Sequence, residues 1–243
     1  MSSTPLAPPA VQPSTRPMRR TALVAGVLYL VTFVTSIPTL QLYAPLRDRA
    51  DFVLGAGSTT GVMWGAFLEI ALALSCVGTA VVLFPVARRQ SETAALGFVA
   101  ARLLEAGLIL VGVVSLLSVV TLRHDVAGGA GADPASLVTA GHTLTAAHDW
   151  TFLLGQSLMP VVNALCLGSV MYRSGLVPRV IPAIGLAGAP LLLASDIAIY
   201  CGVYAQGTSL AGLAALPIAA WELALGVWLA VKGFRPSPLL AQP

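Results

Sequence analysis

Apolar residues run along this chain in six long stretches, each longer than the face of a soluble helix or strand requires. They predict membrane spans at about 21–42, 61–87, 94–122, 148–172, 178–203 and 209–231. At 1.5 Å per residue, about 20 such residues suffice to cross the hydrocarbon layer. Polar punctuation marks the ends: Arg88-Arg89 after the second run, Arg173 to Arg179 after the fourth, Lys232 and Arg235 after the sixth. In the turn between Arg173 and Arg179, Gly175 is placed to end one helix and Pro178 to open the next. The loop 44–60 carries Arg47, Asp48, Arg49 and Asp51. The longest polar stretch, 123–147, includes Gly128-Gly129-Ala130-Gly131 and then Asp133-Pro134, an N-cap followed by proline at the first helical position. A short extra helix is therefore expected before the fourth span.

Residues 1–17 hold five prolines and no apolar period, and are expected to be a disordered tail, as are 236–243. The domain between them is 18–235. Arg16, Arg19 and Arg20 precede the first run, as in a signal peptide, but the run exceeds a signal core and has no clear cleavage site. A retained first span is expected.

Composition agrees with the pattern. The 243 residues are 57% hydrophobic and 9% charged, with a mean hydropathy of +0.87, whereas soluble domains carry roughly a quarter charged residues. Too little polar surface remains for a soluble globule. The expected fold class is all-α, an integral membrane bundle of six transmembrane helices.

Charge adds orientation. Nine basic residues (Arg16, Arg19, Arg20, Arg88, Arg89, Arg173, Arg179, Lys232 and Arg235) fall on one side of such a bundle. Three (Arg47, Arg49 and Arg123) fall on the other. By the positive-inside rule both termini are expected to be cytoplasmic. Twelve arginines to one lysine, with abundant Ala, Gly and Val, read as a GC-rich bacterial coding bias. The expected location is a bacterial inner (plasma) membrane. Cys76, Cys166 and Cys201 all lie in apolar runs, which reads as small core residues without a disulfide framework.

The chemistry lies at membrane depth. Arg102 and Glu105 interrupt the third run, Glu69 the second, Asp196 the fifth and Glu222 the sixth. Ionisable groups in spans are costly and are functional candidates by default. At 100° per residue, Arg102, Glu105, Ile109 and Gly112 share one helix face, while Leu103, Leu104, Leu110 and Val111 lie elsewhere. Three spans pair a mid-helix proline with a following polar group: Pro160 with Asn163, Pro190 with Asp196, Pro217 with Glu222. Freed backbone groups at this depth are tolerated where they face other helices or a wet cavity. A polar cavity between spans two, three, five and six is expected, lined by Glu69, Arg102, Glu105, Asp196 and Glu222. Four carboxyl groups against one guanidinium cannot all be paired ions. Some are expected to be protonated, the raw material of a proton-coupled carrier.

A second candidate site lies where span four meets the outer interface, at His148 and Asp149. His142 and His148 lack the i, i+4 spacing of a helical zinc pair, so no metal is expected. No G-x-S-x-G, H-E-x-x-H, P-loop or dinucleotide fingerprint occurs, and no cofactor is expected.

Several pieces, in order, resemble a known family. They are Arg102-Leu103-Leu104-Glu105-Ala106, His148-Asp149 leading into Leu153-Leu154-Gly155, and the turn Tyr172-Arg173-Ser174-Gly175-Leu176-Val177-Pro178-Arg179. The ending Glu222-Leu223-Ala224 through Trp228-Leu229-Ala230-Val231-Lys232-Gly233 completes the set. Together these resemble the bacterial six-span proteins grouped as domain of unknown function 4386, over roughly residues 18–235. The resemblance implies a six-helix membrane architecture. It also implies that Arg102, Glu105, His148, Asp149, Arg173 and Glu222 belong to a shared pattern.

Three functions fit these features. The first is binding or transport of a small molecule, lipid or proton through the polar cavity. The second is an accessory subunit whose buried charges hold helices together. The third is an intramembrane enzyme acting on lipid, with His148 and Asp149 as acid–base groups; its catalytic residues are otherwise unassigned. The lipid bilayer is the expected partner, with a small-molecule or lipid ligand and no nucleic acid.

Overall fold

The computed structural model describes residues 15–49, 51–55, 57–127 and 133–237. The proline-rich start up to residue 14, the glycine-rich stretch 128–132 and residues 238–243 lie outside the described residues, together with the readings made of them.

Among the described residues all regular secondary structure is helical, with no strand. The first helix, α1 (Thr15–Ser36), is followed by two short pieces, α2 (Thr39–Leu42) and α3 (Ala44–Asp48), and a 3-10 turn, Phe52–Leu54. Then come α4 (Thr60–Ala87), α5 (Glu92–Ala127), α6 (Pro134–Phe152), a π-helical turn (Leu153–Leu158), α7 (Met159–Ser174), α8 (Val180–Tyr200) and α9 (Ser209–Val231). Six stretches are long and apolar enough to cross a membrane: Met18–Asp48, Thr60–Ala87, Glu92–Ala127, Pro134–Ser174, Val180–Tyr200 and Ser209–Val231. This is a multi-pass membrane protein.

Two boundaries differ from the sequence pattern, each for a local reason. The first run is not one unbroken helix to residue 42. Pro38 lacks an N–H and disfavours helix at Ile37, so α1 stops at Ser36 and the span continues as the short pieces α2 and α3. The helix before the fourth span starts where Asp133-Pro134 place it. Asp133 Oδ2 accepts from Ser136 N–H at 3.0 Å. It is continuous with the span, however, running on through the π-helical turn. At the far end of that span Gly175 is left-handed, at φ 66°, where a side chain would be strained.

The long helices form a closed ring in chain order: α1 packs on α4, α4 on α5, α5 on α7, α7 on α8, α8 on α9, and α9 back on α1. At one end Arg19 donates to the carbonyls of Ala230 and Val231, and Arg235 N–H donates to Leu176 O. At the opposite end Arg123 donates to the carbonyls of Phe52, Gly55 and Gly57 and lies over the Phe52 ring. Large apolar side chains such as Trp64, Phe67, Leu74, Val114, Leu213 and Leu216 stand exposed around the outside, as lipid-facing residues do.

Inside, one apolar cluster around Tyr29, Phe98, Leu167, Trp221 and Leu225 fills the Arg19 end. Another, around Tyr43, Phe52, Val62 and Leu116, fills the Arg123 end. The intramembrane charges sit between them.

Candidate functional site

The face drawn from helical periodicity is the buried one. Arg102, Glu105, Ile109 and Gly112 are buried in α5, whereas Leu103, Leu104, Leu110 and Val111 are exposed. Arg102 Nη1 donates to both Glu105 oxygens at 3.0 and 3.2 Å, and Nη2 donates to Glu222 Oε1 on α9 at 2.8 Å. Asn163 Nδ2 of α7 donates to Glu105 Oε2 at 2.8 Å. The guanidinium lies over the Tyr29 ring at 5.0 Å and the Phe98 ring at 5.8 Å, so aromatic faces complete its shell. A charge 1% exposed is held here by two carboxylates and two rings. Such a group requires both kinds of partner to replace lost water.

These charges border a cavity of about 210 Å³. Its polar lining is Arg102, Glu105, Glu222, Gln156, Ser157, Thr32 and Ser36. Phe33, Leu72, Phe152, Leu192 and Ile218 supply apolar wall. The cavity therefore draws on α1 and on the π-helical turn, which the expectation of spans two, three, five and six left out. Ring closure between α1 and α9 is what brings α1 to it.

Glu69 does not line this cavity with Arg102. It sits in a second buried cluster, where Tyr43 OH donates to its Oε2 at 2.9 Å and Gln156 Nε2 donates to its Oε1 at 3.1 Å. His148 Nε2 is 3.5 Å from Glu69 Oε2, and His148 Nδ1 is 3.6 Å from Asp149 Oδ1. The Tyr43 and His148 rings meet edge to face at 5.3 Å. Close approach of backbone explains the geometry. A Cβ on Gly65, one turn before Glu69, would collide with the Tyr43 ring, so glycine there leaves the ring its place. Asp149 is at the surface, 3.8 Å from Arg47. With Trp150 it edges a surface hollow of about 490 Å³.

Asp196 makes a third centre. It is buried, and its Oδ1 accepts from Ser157 Oγ at 2.6 Å. Of the five residues expected around one cavity, Arg102, Glu105 and Glu222 are together. Glu69 and Asp196 reach it only through Gln156 and Ser157.

Those two polar residues were missed. They belong to the π-helical turn, an arrangement that recurs at functional sites. Pro160 follows directly and cannot donate to the carbonyl four residues earlier, that of Gln156. A Gln-Ser pair three to four residues before a proline in an apolar run was the available signal. Tyr29, Tyr43 and Thr32 carried no such mark. The three cysteines are free, and Cys201 is exposed at the end of α8, not in the core.

A family model described as "Domain of unknown function (DUF4386)" matches residues 24–233. No curated protein and no solved structure gives a significant match.

Proposed function

The chain belongs to the DUF4386 family, whose description assigns no activity, so we propose from the site that it binds a small molecule inside the membrane, as a carrier does. One observation supports this most: a cavity of about 210 Å³ bordered by a buried ion triad and by two polar side chains of a π-helical turn. Charges used only as helix glue need no space beside them. Here Glu222 keeps 14% of its side chain accessible, against 2% for Arg102. The membrane is proposed to be the bacterial plasma membrane, with both termini cytoplasmic, on the nine-to-three bias in basic residues.

Single-cysteine labelling tests the cavity. With Cys76, Cys166 and Cys201 replaced by alanine, Ala219→Cys on the cavity wall should react with a small water-soluble thiol reagent in proteoliposomes. Ala164→Cys, fully buried in the core, should not. Equal inertness of both would remove the cavity reading.

A catalytic reading has one observation behind it: His148 lies between Glu69 and Asp149, an acid–base arrangement. Loss of a lipid-modifying activity in His148→Gln, with the fold retained, would favour it.

A further inference from the structure

The hydrogen-bonding left over in the cavity selects a ligand class. Arg102 turns its two terminal nitrogens to Glu105 and Glu222. Thr32 Oγ1 donates to Tyr29 O at 2.7 Å, and Ser157 Oγ donates to Asp196 Oδ1 at 2.6 Å. Gln156 directs its amide nitrogen to Glu69. These donors are thus engaged with protein groups; Arg102 Nε has no partner but is buried, and the Ser36 hydroxyl, which can donate or accept, makes no hydrogen bond among the described residues. What remains on the cavity surface is chiefly acceptors: Glu222 Oε2 and Gln156 Oε1, without partners among the described residues, and the lone pairs of the Thr32, Ser36 and Ser157 hydroxyls.

Charge points the same way. Two carboxylates meet one guanidinium at the cavity, and a third, Asp196, stands behind Ser157 with a buried, unpartnered Oδ2. An anion would meet Glu222 first. A neutral polar molecule would leave the excess negative charge unanswered. An ammonium group offers three donors and one positive charge. The rest of the wall, Phe33, Phe152, Leu192 and Ile218, is apolar.

We propose that the cavity takes a small organic ammonium ion, its nitrogen against Glu222, Gln156 and Ser157 and its short hydrocarbon part against the aromatic and aliphatic wall. The proposal rests on the cavity being a binding site, and the test separates the two.

Calorimetric titration of the full chain in nanodiscs with n-butylammonium, 1-butanol and butyrate compares cation, neutral isostere and anion. Saturable binding of n-butylammonium alone is expected, weakened about tenfold or more in Glu222→Gln, as for loss of a charge-assisted hydrogen bond. Should Glu222→Gln not fold, Ala219→Phe, which fills the cavity and leaves the charges in place, is expected to abolish binding. Equal binding of 1-butanol, or tighter binding of butyrate, overturns the ammonium assignment and leaves the cavity as a site for another class. Absence of binding by all three overturns it as well, and the Ala219→Cys labelling then decides separately whether the cavity is accessible.

Discussion

Arg102 Nη2 on α5 and Glu222 Oε1 on α9 lie 2.8 Å apart, 120 residues distant in sequence, and this contact crosses the interior of the helix ring. Asn163 of α7 and Glu105 of α5 join two neighbours in the ring. The Arg102–Glu222 bond joins two helices that are not ring neighbours. It fixes where α9 stands relative to α5, and hence where the cavity opens.

Removing the cation should be costly. Arg102→Leu leaves Glu105 and Glu222 facing each other without compensation, and a loss of about 3–5 kcal/mol is expected. Replacing all three members by neutral groups (Arg102→Leu, Glu105→Gln, Glu222→Gln) should recover much of it. Thermal unfolding in detergent checks the order; a triple variant less stable than Arg102→Leu would contradict it.

The Tyr43 contact with Glu69 depends on Gly65. Gly65→Ala places a methyl on the Tyr43 ring and should destabilise by about 1–3 kcal/mol, as overpacking does. Tyr43→Phe removes only the hydrogen bond to Glu69, and about 1–2 kcal/mol is expected for leaving that buried acceptor short of a donor. Comparing the two midpoints of unfolding separates packing from hydrogen bonding.

Arg123 holds the 3-10 turn through the carbonyls of Phe52, Gly55 and Gly57. Arg123→Ala should release this segment with little effect on the helices. Limited proteolysis is the measurement: faster cleavage near Gly57 with an unchanged helical signal is expected.

Orientation is open to direct labelling. In a background without native cysteines, Ser58→Cys, in the segment between α3 and α4, should react with an impermeant maleimide in intact cells. Ser91→Cys, in the turn between α4 and α5, should react only after permeabilisation. The reverse pattern would place both termini outside.

What the sequence determined was everything governed by hydrophobicity and helical period. Six apolar runs, their polar stops, the Asp133 cap and the Gly175 ending are local, one-dimensional properties, and the helices follow them closely. The buried face of α5 was equally legible, because burying Arg102 and Glu105 in lipid has no alternative to facing protein. The resemblance through Arg102, His148, the Arg173–Arg179 turn and Glu222 led to the family that matches residues 24–233. Tertiary structure alone decided who meets whom. Carboxylates at similar depth on different helices carry no label saying which will pair with Arg102. Closure of α1 onto α9, the helix break at Pro38 and the π-helical register before Pro160 sent Glu222 to the arginine, Glu69 to Tyr43 and His148, and Asp196 to Ser157. Side-chain partners depend on angles between helices, and those are set by packing all six at once.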